Sequence, residues 1–113
     1  MIKLKAEHLE LIEHCSSKNP LAYNFDKAVE ECIEFMEVLV KLRTKHEDNP
    51  SRPKVENALK EYGDVLYRGI IAIKPLYPDR STEELFGDVS AHIRKKLNRL
   101  AEFCEEGNFK GGL

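Results

Sequence analysis

Cysteine is scarce in this sequence, and its spacing is not that of a structural site. The three cysteines, Cys15, Cys32 and Cys104, are odd in number and form no CxxC pair. We therefore expect free thiols and neither a disulfide framework nor a zinc knuckle. The four histidines show no HxxH or HExxH spacing, so histidine metal binding is not expected either.

Long apolar runs and an excess of basic charge are also missing. The longest apolar stretches, such as residues 69–73, fall well short of the roughly 20 residues that cross a bilayer, and the N-terminus lacks the apolar core of a signal peptide. With 18 basic and 20 acidic residues, the chain lacks the basic balance of proteins that hold nucleic acid through many phosphates. The sequence predicts a cytoplasmic protein that binds neither a membrane nor a nucleic acid duplex.

The length, the composition and the spacing of the apolar residues predict a single helical domain. The 113 residues, 42% hydrophobic and 34% charged, suffice for one core over residues 1–113. Neither a GxxxxGK[ST] loop nor a GxSxG elbow occurs, which excludes P-loop and serine-hydrolase chemistry. The apolar spacing predicts an all-α fold of four helices, over about 5–17, 24–46, 54–74 and 81–107, with a loose tail over 107–113.

Two helix starts carry capping residues. Asn24 is a candidate cap for the second helix. Ser81 with Glu84 three residues later has the form of a capping box, which predicts the start of the fourth helix, and Gly107 is expected to close that helix.

The second predicted helix is apolar on two sides. A projection at about 100° per residue gives one stripe that we assign to the core: Val29, Ile33, Met36 and Val40. Nearly opposite lies a partly apolar surface that includes two carboxylates: Glu31, Glu34, Phe35, Val38 and Leu42. Because a helix that is apolar on both sides is usually buried on both sides, we expect this second surface to contact another subunit of a homodimer or homotetramer.

Two consecutive helices each carry a pair of acids three residues apart, Glu31 with Glu34 and Glu61 with Asp64. Such residues are neighbours on one helix face, so packing of the two helices brings four carboxylates together. Oxygen clusters of this kind bind hard cations such as Mg²⁺. Either pair alone is typical of a solvated face, and Asp64 with Arg68 has the spacing of an ordinary ion pair. The combination favours a metal site.

The third and fourth helices have expected core stripes of their own. On the third helix this stripe comprises Tyr62, Leu66, Gly69 and Ile73, flanked by Glu61, Asp64, Arg68 and Ile71. On the fourth it comprises Val89, Ile93, Leu97, Leu100 and Cys104. Beside it runs a basic ridge, Lys95, Lys96 and Arg99, which is suited to contact phosphate. Long basic side chains also commonly border cores or pair with acids, so both readings of the ridge stay open.

The acids occur in an ordered motif. Residues 30–34 (EECIE) are followed, after 26 intervening residues, by residues 61–64 (EYGD), which gives the form EExxE…ExxD. This order resembles the signature of the MazG-like, all-α nucleoside triphosphate pyrophosphohydrolases. Residues 27–34, 59–65 and 95–100 (KKLNRL) are similar to that family's helices, so the resemblance covers about residues 24–104.

The resemblance implies a four-helix bundle of the all-α NTP pyrophosphatase type that hydrolyses a nucleoside triphosphate to the monophosphate and pyrophosphate, as nucleotide-pool housekeeping. It implies Mg²⁺, with Mn²⁺ as a substitute, held by Glu31, Glu34, Glu61 and Asp64. One of these glutamates, or Glu30, would accept the proton of the attacking water. Lys95, Lys96 and Arg99 would contact the phosphates. The preferred base and the individual proton acceptor stay open.

A function of another class is also compatible with the sequence. In a non-catalytic helical oligomerisation or protein-interaction module, the second apolar surfaces would mediate assembly alone. The four acids would then be replaceable. The enzyme hypothesis predicts instead that Glu→Gln or Asp→Asn changes remove activity with little loss of stability, because separating charges that repel one another seldom destabilises a fold.

Overall fold

The computed structural model of the chain describes residues 3–44 and 50–105. Every regular element in these ranges is helical: α1 (Ala6–Lys18), α2 (Leu21–Thr44), α3 (Arg52–Ile73), a short 3₁₀ helix (Lys74–Leu76) and α4 (Thr82–Glu105). The all-α class and the four helices are confirmed, and the three cysteines are free. In the described ranges, no helix is both long and apolar enough to span a bilayer. The expected tail over 107–113, the expected stop at Gly107 and the expected end near His46 lie outside these ranges.

The start of α2 differs from the predicted cap at Asn24. The helix begins at Leu21, directly after Pro20, whose carbonyl accepts a hydrogen bond from the Asn24 backbone N–H at 3.2 Å. Proline is tolerated there because the start of a helix needs no N–H donor. The Asn24 side chain is buried instead. Its Nδ2 donates to the Cys15 carbonyl at 3.5 Å, and its Oδ1 accepts from Asn19 Nδ2 at 3.4 Å, which ties α2 to α1.

The start of α4 has the predicted capping box and a second anchor. Ser81 Oγ accepts from the Glu84 N–H at 3.1 Å, and Glu84 Oε1 accepts from the Ser81 N–H at 3.0 Å. Glu13 of α1 adds a tertiary contact, since its Oε1 accepts from the Thr82 N–H at 3.1 Å and from the Thr82 hydroxyl at 2.9 Å. Thr82 is 1% exposed. The first turn of α4 is therefore fixed both locally and to α1.

A small core lies where α1, the end of α3 and the start of α4 meet. Its buried members are Ile12, Ile70, Ile71 and Leu85, with Cys15, Phe86 and Val89 packed against them. Away from this core, α2 packs along α3. Because the connection from Thr44 to Arg52 is short, the two packed helices form an antiparallel hairpin. The Phe35 and Tyr62 ring centroids lie 5.2 Å apart across it. The rest of the molecule positions this hairpin, on which the acids lie.

The more buried side of α2 is not the stripe that we assigned to the core. The expected core stripe is exposed in this chain, with Val29 and Met36 at 57%, Ile33 at 46% and Val40 at 49%. The surface expected to meet another subunit is the half-buried one: Glu31, Glu34, Phe35, Val38 and Leu42. The core assignment was wrong because both sides repeat apolar residues at helical spacing, so periodicity alone does not show which side is more deeply buried.

The expected stripes of the other helices need similar corrections. On α3, Ile71 of the flank is 3% exposed, whereas Tyr62 and Ile73 of the expected core stripe are 46% and 41% exposed. On α4, Ile93 and Leu97 are 49% and 55% exposed. The core includes residues from the first part of α4 only, and farther along the helix Leu100 and Cys104 are half-buried.

Candidate metal centre

Three glutamates meet where α2 packs against α3. Glu31 and Glu34 come from α2 and Glu61 from α3, and one carboxylate oxygen of each lies within 4.8 Å of the other two. All three residues are half-buried. Glu31 Oε2 and Glu61 Oε2 are buried and accept no hydrogen bond from any described residue. The structure therefore brings together three of the four acids that the sequence singles out as metal ligands.

An aromatic pair positions these acids. Phe35 directly follows Glu34, and Tyr62 directly follows Glu61. Their ring centroids lie 5.2 Å apart with an interplanar angle of 39°, within the range of favourable ring contacts. Because each ring is one residue from a glutamate, the ring contact sets the register that makes the carboxylates converge.

The two remaining predicted acids are placed differently. Asp64 is half-buried and its charge acts on Glu31, but it is not one of the three residues with mutually close oxygens. Glu30 is exposed, and its Oε2 accepts a hydrogen bond from Lys27 Nζ at 3.2 Å. Asp64 thus borders the cluster electrostatically, whereas Glu30 belongs to an ion pair on the adjacent surface.

The cluster carries unfavourable electrostatics of its own. Burial raises the pKa of Glu31 above its ordinary value, and the charges of Glu34 and Asp64 raise it further. Lys60 offsets part of this repulsion: its Nζ lies 3.3 Å from Glu61 Oε1. The hydrogen bond to Glu61 and the charge of that carboxylate raise the pKa of Lys60. A cation bound among the three acids would relieve the remaining repulsion.

The donor set fits a hard divalent cation. Mg²⁺ takes oxygen ligands at about 2.1 Å in an octahedron, so oxygens on opposite sides of the ion lie about 4.2 Å apart. The three carboxylates offer one oxygen each within 4.8 Å of the others, so a cation between them would lie within reach of all three. The orphaned oxygens of Glu31 and Glu61 provide acceptors. Glu31, Glu34 and Glu61 are thus the residues able to hold the ion, with Asp64 beside them.

The predicted basic ridge is not brought to these acids within the chain. Lys95, Lys96 and Arg99 are exposed on the second half of α4, and that helix packs on α1 and α3 through its first half. Among the described residues, the ion pair that reaches the cluster comes from Lys60. The phosphate-binding role of the ridge stays a prediction.

Two half-buried cations that were not predicted as site residues lie one helical turn from the acids along α2 and α3. Lys27 precedes Glu31 by four residues, and Arg68 follows Asp64 by four. Lys27 Nζ lies 5.7 Å from the Tyr23 ring centroid, and the Arg68 guanidinium carbon 5.2 Å from that of Tyr67. Since residues four apart share a helix face, this spacing was the signal in the sequence that could have identified them.

Arg68 does not form the ion pair that its spacing from Asp64 predicts. No ion pair of Arg68 occurs within residues 3–44 and 50–105. Its Nε is buried and donates no hydrogen bond within the same ranges. The guanidinium is therefore held at the site by packing against Tyr67, with donor capacity left over.

A cavity elsewhere has different chemistry. It measures about 640 Å³ and lies between α1 and the 3₁₀ helix, where Glu13, His14 and Lys74 line it. The Glu13 carboxylate is already bound on both oxygens, by Thr82 and, at 3.9 Å, by Lys74 Nζ. Glu13 is a structural acid, and the contrast with the orphaned oxygens of Glu31 and Glu61 singles out the α2–α3 cluster as the candidate centre.

No family model, curated protein or solved structure matches this chain. The family resemblance therefore rests on the sequence alone, on the ordered segments 27–34, 59–65 and 95–100. What the structure adds is independent of that resemblance: three of these acids converge on one point between two helices.

Proposed function

We propose that the chain is an Mg²⁺-dependent nucleotide pyrophosphohydrolase similar to the MazG-like enzymes, which cleaves (d)NTP to (d)NMP and pyrophosphate. The observation that carries this proposal is the convergence of Glu31, Glu34 and Glu61, with buried oxygens of Glu31 and Glu61 that accept no hydrogen bond from a described residue. A group of half-buried acids is unfavourable without a cation, and Mg²⁺ with phosphate oxygens is a common complement of such groups.

The roles of the acids follow from their placement. Glu31, Glu34 and Glu61 are the proposed ligands of Mg²⁺, with Mn²⁺ as a substitute, and Asp64 is the fourth. When bound, the ion supplies charge neutralisation at phosphate oxygens and a lowered pKa for a bound water. One of the glutamates accepts the proton of the attacking water. Glu30 is the less suitable acceptor, because its Oε2 is engaged by Lys27 on the exposed surface.

We further propose that the protein functions as a homodimer or homotetramer. The exposed stripe on α2, comprising Val29, Ile33, Met36 and Val40, and the exposed Ile93 and Leu97 on α4 are large apolar side chains without cover in one chain. The radius of gyration is 16.8 Å, against about 13 Å for a compact domain of this length. An open helical chain with apolar outer faces is typical of a protomer that completes its core by association.

Assembly without catalysis is the second candidate. The same exposed stripes favour it, because they indicate association whether or not the acids bind a metal. This alternative leaves the convergence and orphaned oxygens of the acid cluster without a role. We therefore rank it below the enzyme, and one experiment separates the two.

The experiment incubates the purified full chain with a panel of standard and modified dNTPs and NTPs, in Mg²⁺ or in EDTA, and identifies the products by chromatography. We expect Mg²⁺-dependent formation of the monophosphate and pyrophosphate. Glu61→Gln should lower the rate at least about 100-fold, as loss of a metal ligand does. Glu56→Gln is the matched control: it lies on the same helix, but its carboxylate pairs with Arg52 on the surface, so its activity should match the wild type.

Two results would contradict the proposal. Formation of the diphosphate and phosphate would show cleavage at a different bond. Full activity in Glu61→Gln would show that the cluster is not the reaction centre. Absence of turnover across the whole panel, together with a stable oligomer, would favour the interaction module.

A further inference from the structure

Lys27 of α2 and Arg68 of α3 are half-buried, and each lies four residues along its helix from an acid of the sequence motif. We propose that these two side chains form an anion subsite, which binds one phosphate group of a di- or triphosphate ligand while the metal at the acids holds the neighbouring phosphate. This inference rests on the proposed function for the metal, and it adds the residues that orient the polyphosphate along the hairpin.

The register of the hairpin places the two cations on the same side of the acids. Lys27 lies four residues before Glu31, and Arg68 lies four residues after Asp64. Four residues advance a helix by about 6 Å, close to one turn. Because α2 and α3 run in opposite directions, both steps lead the same way from the cluster. Each helix therefore contributes a cation about one turn from the acids, toward the same end of the hairpin.

The Arg68 guanidinium has the chemistry of an unfilled anion site. Its Nε is buried without an acceptor in the described ranges, and the group is held 5.2 Å from the Tyr67 ring. A buried donor without a partner is unfavourable, and the fork of a guanidinium matches the oxygens of a phosphate. A phosphate oxygen would supply the missing acceptor.

Lys27 contributes a second positive charge with spare donors. Its ammonium makes one hydrogen bond, to Glu30 at 3.2 Å, and an ammonium has three donors. That hydrogen bond raises the pKa of Lys27, so the side chain keeps its positive charge. Like charges held together on facing helices are stabilised by an anion between them.

The acid cluster narrows the class of anion. A free anion is repelled by the negative charges of Glu31, Glu34, Glu61 and Asp64. An anion therefore binds beside these acids only when a metal cation is bound among them. A polyphosphate can bind the metal and the two cations at once. One phosphate group contacts the metal, and the next phosphate group, at most about one helical turn away, reaches Lys27 and Arg68. A monocarboxylate has a single charged group, so it cannot contact the metal and the two cations at the same time.

The test is isothermal titration calorimetry of the full chain with inorganic pyrophosphate in Mg²⁺, alongside a titration with Mg²⁺ alone. Loss of one charge-assisted hydrogen bond weakens binding about tenfold. We expect this loss of pyrophosphate affinity in Arg68→Gln and in Lys27→Gln, with Mg²⁺ affinity within about twofold of the wild type. Arg68→Lys keeps the charge and should recover part of the affinity.

The control is Arg52→Gln, which removes the same charge from an 87% exposed side chain on the same helix and should leave pyrophosphate binding unchanged. Circular dichroism checks the fold of each variant. Lys27→Gln keeps the test valid if Arg68→Gln misfolds, because the Lys27 side chain is 34% exposed.

The subsite is overturned if the wild type binds no pyrophosphate, if both Gln variants stay within about twofold of the wild type, or if Arg52→Gln weakens binding as much as they do. Failure of the proposed function looks different. In that case no nucleotide is turned over, yet pyrophosphate binding still depends on Lys27 and Arg68.

Discussion

The rings of Phe35 and Tyr62 contact each other at a centroid distance of 5.2 Å, and each is the immediate chain neighbour of a glutamate in the candidate metal centre. Helices that pack along their length can slide by a residue or more unless a specific contact fixes them. This ring pair is such a contact. The geometry of the acids therefore depends on an apolar interaction beside them.

Phe35→Ala should accordingly weaken both the fold and the metal site. We expect a loss of about 2 kcal/mol of unfolding free energy, since Phe35 is half-buried and in contact with a ring. Mg²⁺ affinity should fall as well, although no ligand is removed. Urea unfolding and Mg²⁺ titration measure the two effects. Phe35→Leu should keep most of the stability, and unchanged Mg²⁺ affinity in Phe35→Ala would show that the ring pair does not set the register.

Mg²⁺ should stabilise the wild-type protein against thermal unfolding. A ligand that binds only the folded state at about 100 times its Kd adds about 2.7 kcal/mol. Glu61→Gln should lose this response. Glu13→Gln should lower the starting stability through its contacts with Thr82 but keep the Mg²⁺-dependent rise. Equal responses of the two variants to Mg²⁺ would mean that the ion binds elsewhere.

The metal-free protein should gain stability on mild acidification through Glu31. Burial, then the charges of Glu34 and Asp64, raise the pKa of Glu31 above its ordinary value of 4.5. The ionised group therefore opposes folding at neutral pH. As the pH falls through the raised pKa, the folded state takes up the proton first, and the penalty is gone below the ordinary pKa.

The Glu31→Gln variant tests whether the ionised Glu31 carboxylate lowers the stability of the metal-free protein. In EDTA, the variant should be more stable than the wild type at pH 7, and the difference should shrink as the pH approaches 4.5. Denaturant unfolding at several pH values measures it. Parallel pH profiles of the two proteins would contradict the assignment of the penalty to Glu31.

The capping box of α4 offers a matched pair of serines. Ser81→Ala should remove about 1 kcal/mol of stability, because Ser81 Oγ accepts from the Glu84 N–H. Ser51→Ala is the control, since Ser51 caps α3 without a side-chain hydrogen bond and should change little. Thermal melts compare them, with an expected shift of about 4 °C for Ser81→Ala alone. Equal shifts would show that the cap hydrogen bond is not the cause.

Met36→Lys tests the assembly. Met36 is 57% exposed at the centre of the apolar α2 stripe, so its replacement leaves the contacts within one chain largely intact and places a charge in the proposed subunit interface. We expect light scattering to show a smaller species than the wild type. Lys41→Ala, on the same helix, leaves the apolar stripe intact and should preserve the assembly. A wild-type protein that is already monomeric at micromolar concentration would refute the interface.

Much of this architecture is predictable because it depends on local signals. The four helices follow from apolar spacing and from prolines between them, and the Ser81–Glu84 capping box is a contact over three residues. The convergence of Glu31, Glu34 and Glu61 follows from i,i+3 spacing once α2 and α3 pack together. Each of these features needs only residues that are close in sequence or in adjacent helices.

The errors arise where a choice between two faces is needed. Phe35 and Met36 are adjacent in sequence and lie on different sides of α2, and both sides are apolar enough to be core. Only the tertiary contact with Tyr62 decides that Phe35 faces α3. The i,i+4 spacing of Asp64 and Arg68 also permits an ion pair that the structure does not form, because spacing gives proximity but not side-chain direction.

The hydrogen bonds from Thr82 to Glu13 join positions 69 residues apart. Closing a chain segment of that length costs about 4 kcal/mol in conformational entropy from the length term alone. The α2–α3 hairpin, which lies inside this segment, needs no such closure to form. These costs suggest an order of folding for the chain. The hairpin that carries the acids can form early, and the contact between α1 and α4 can form after it.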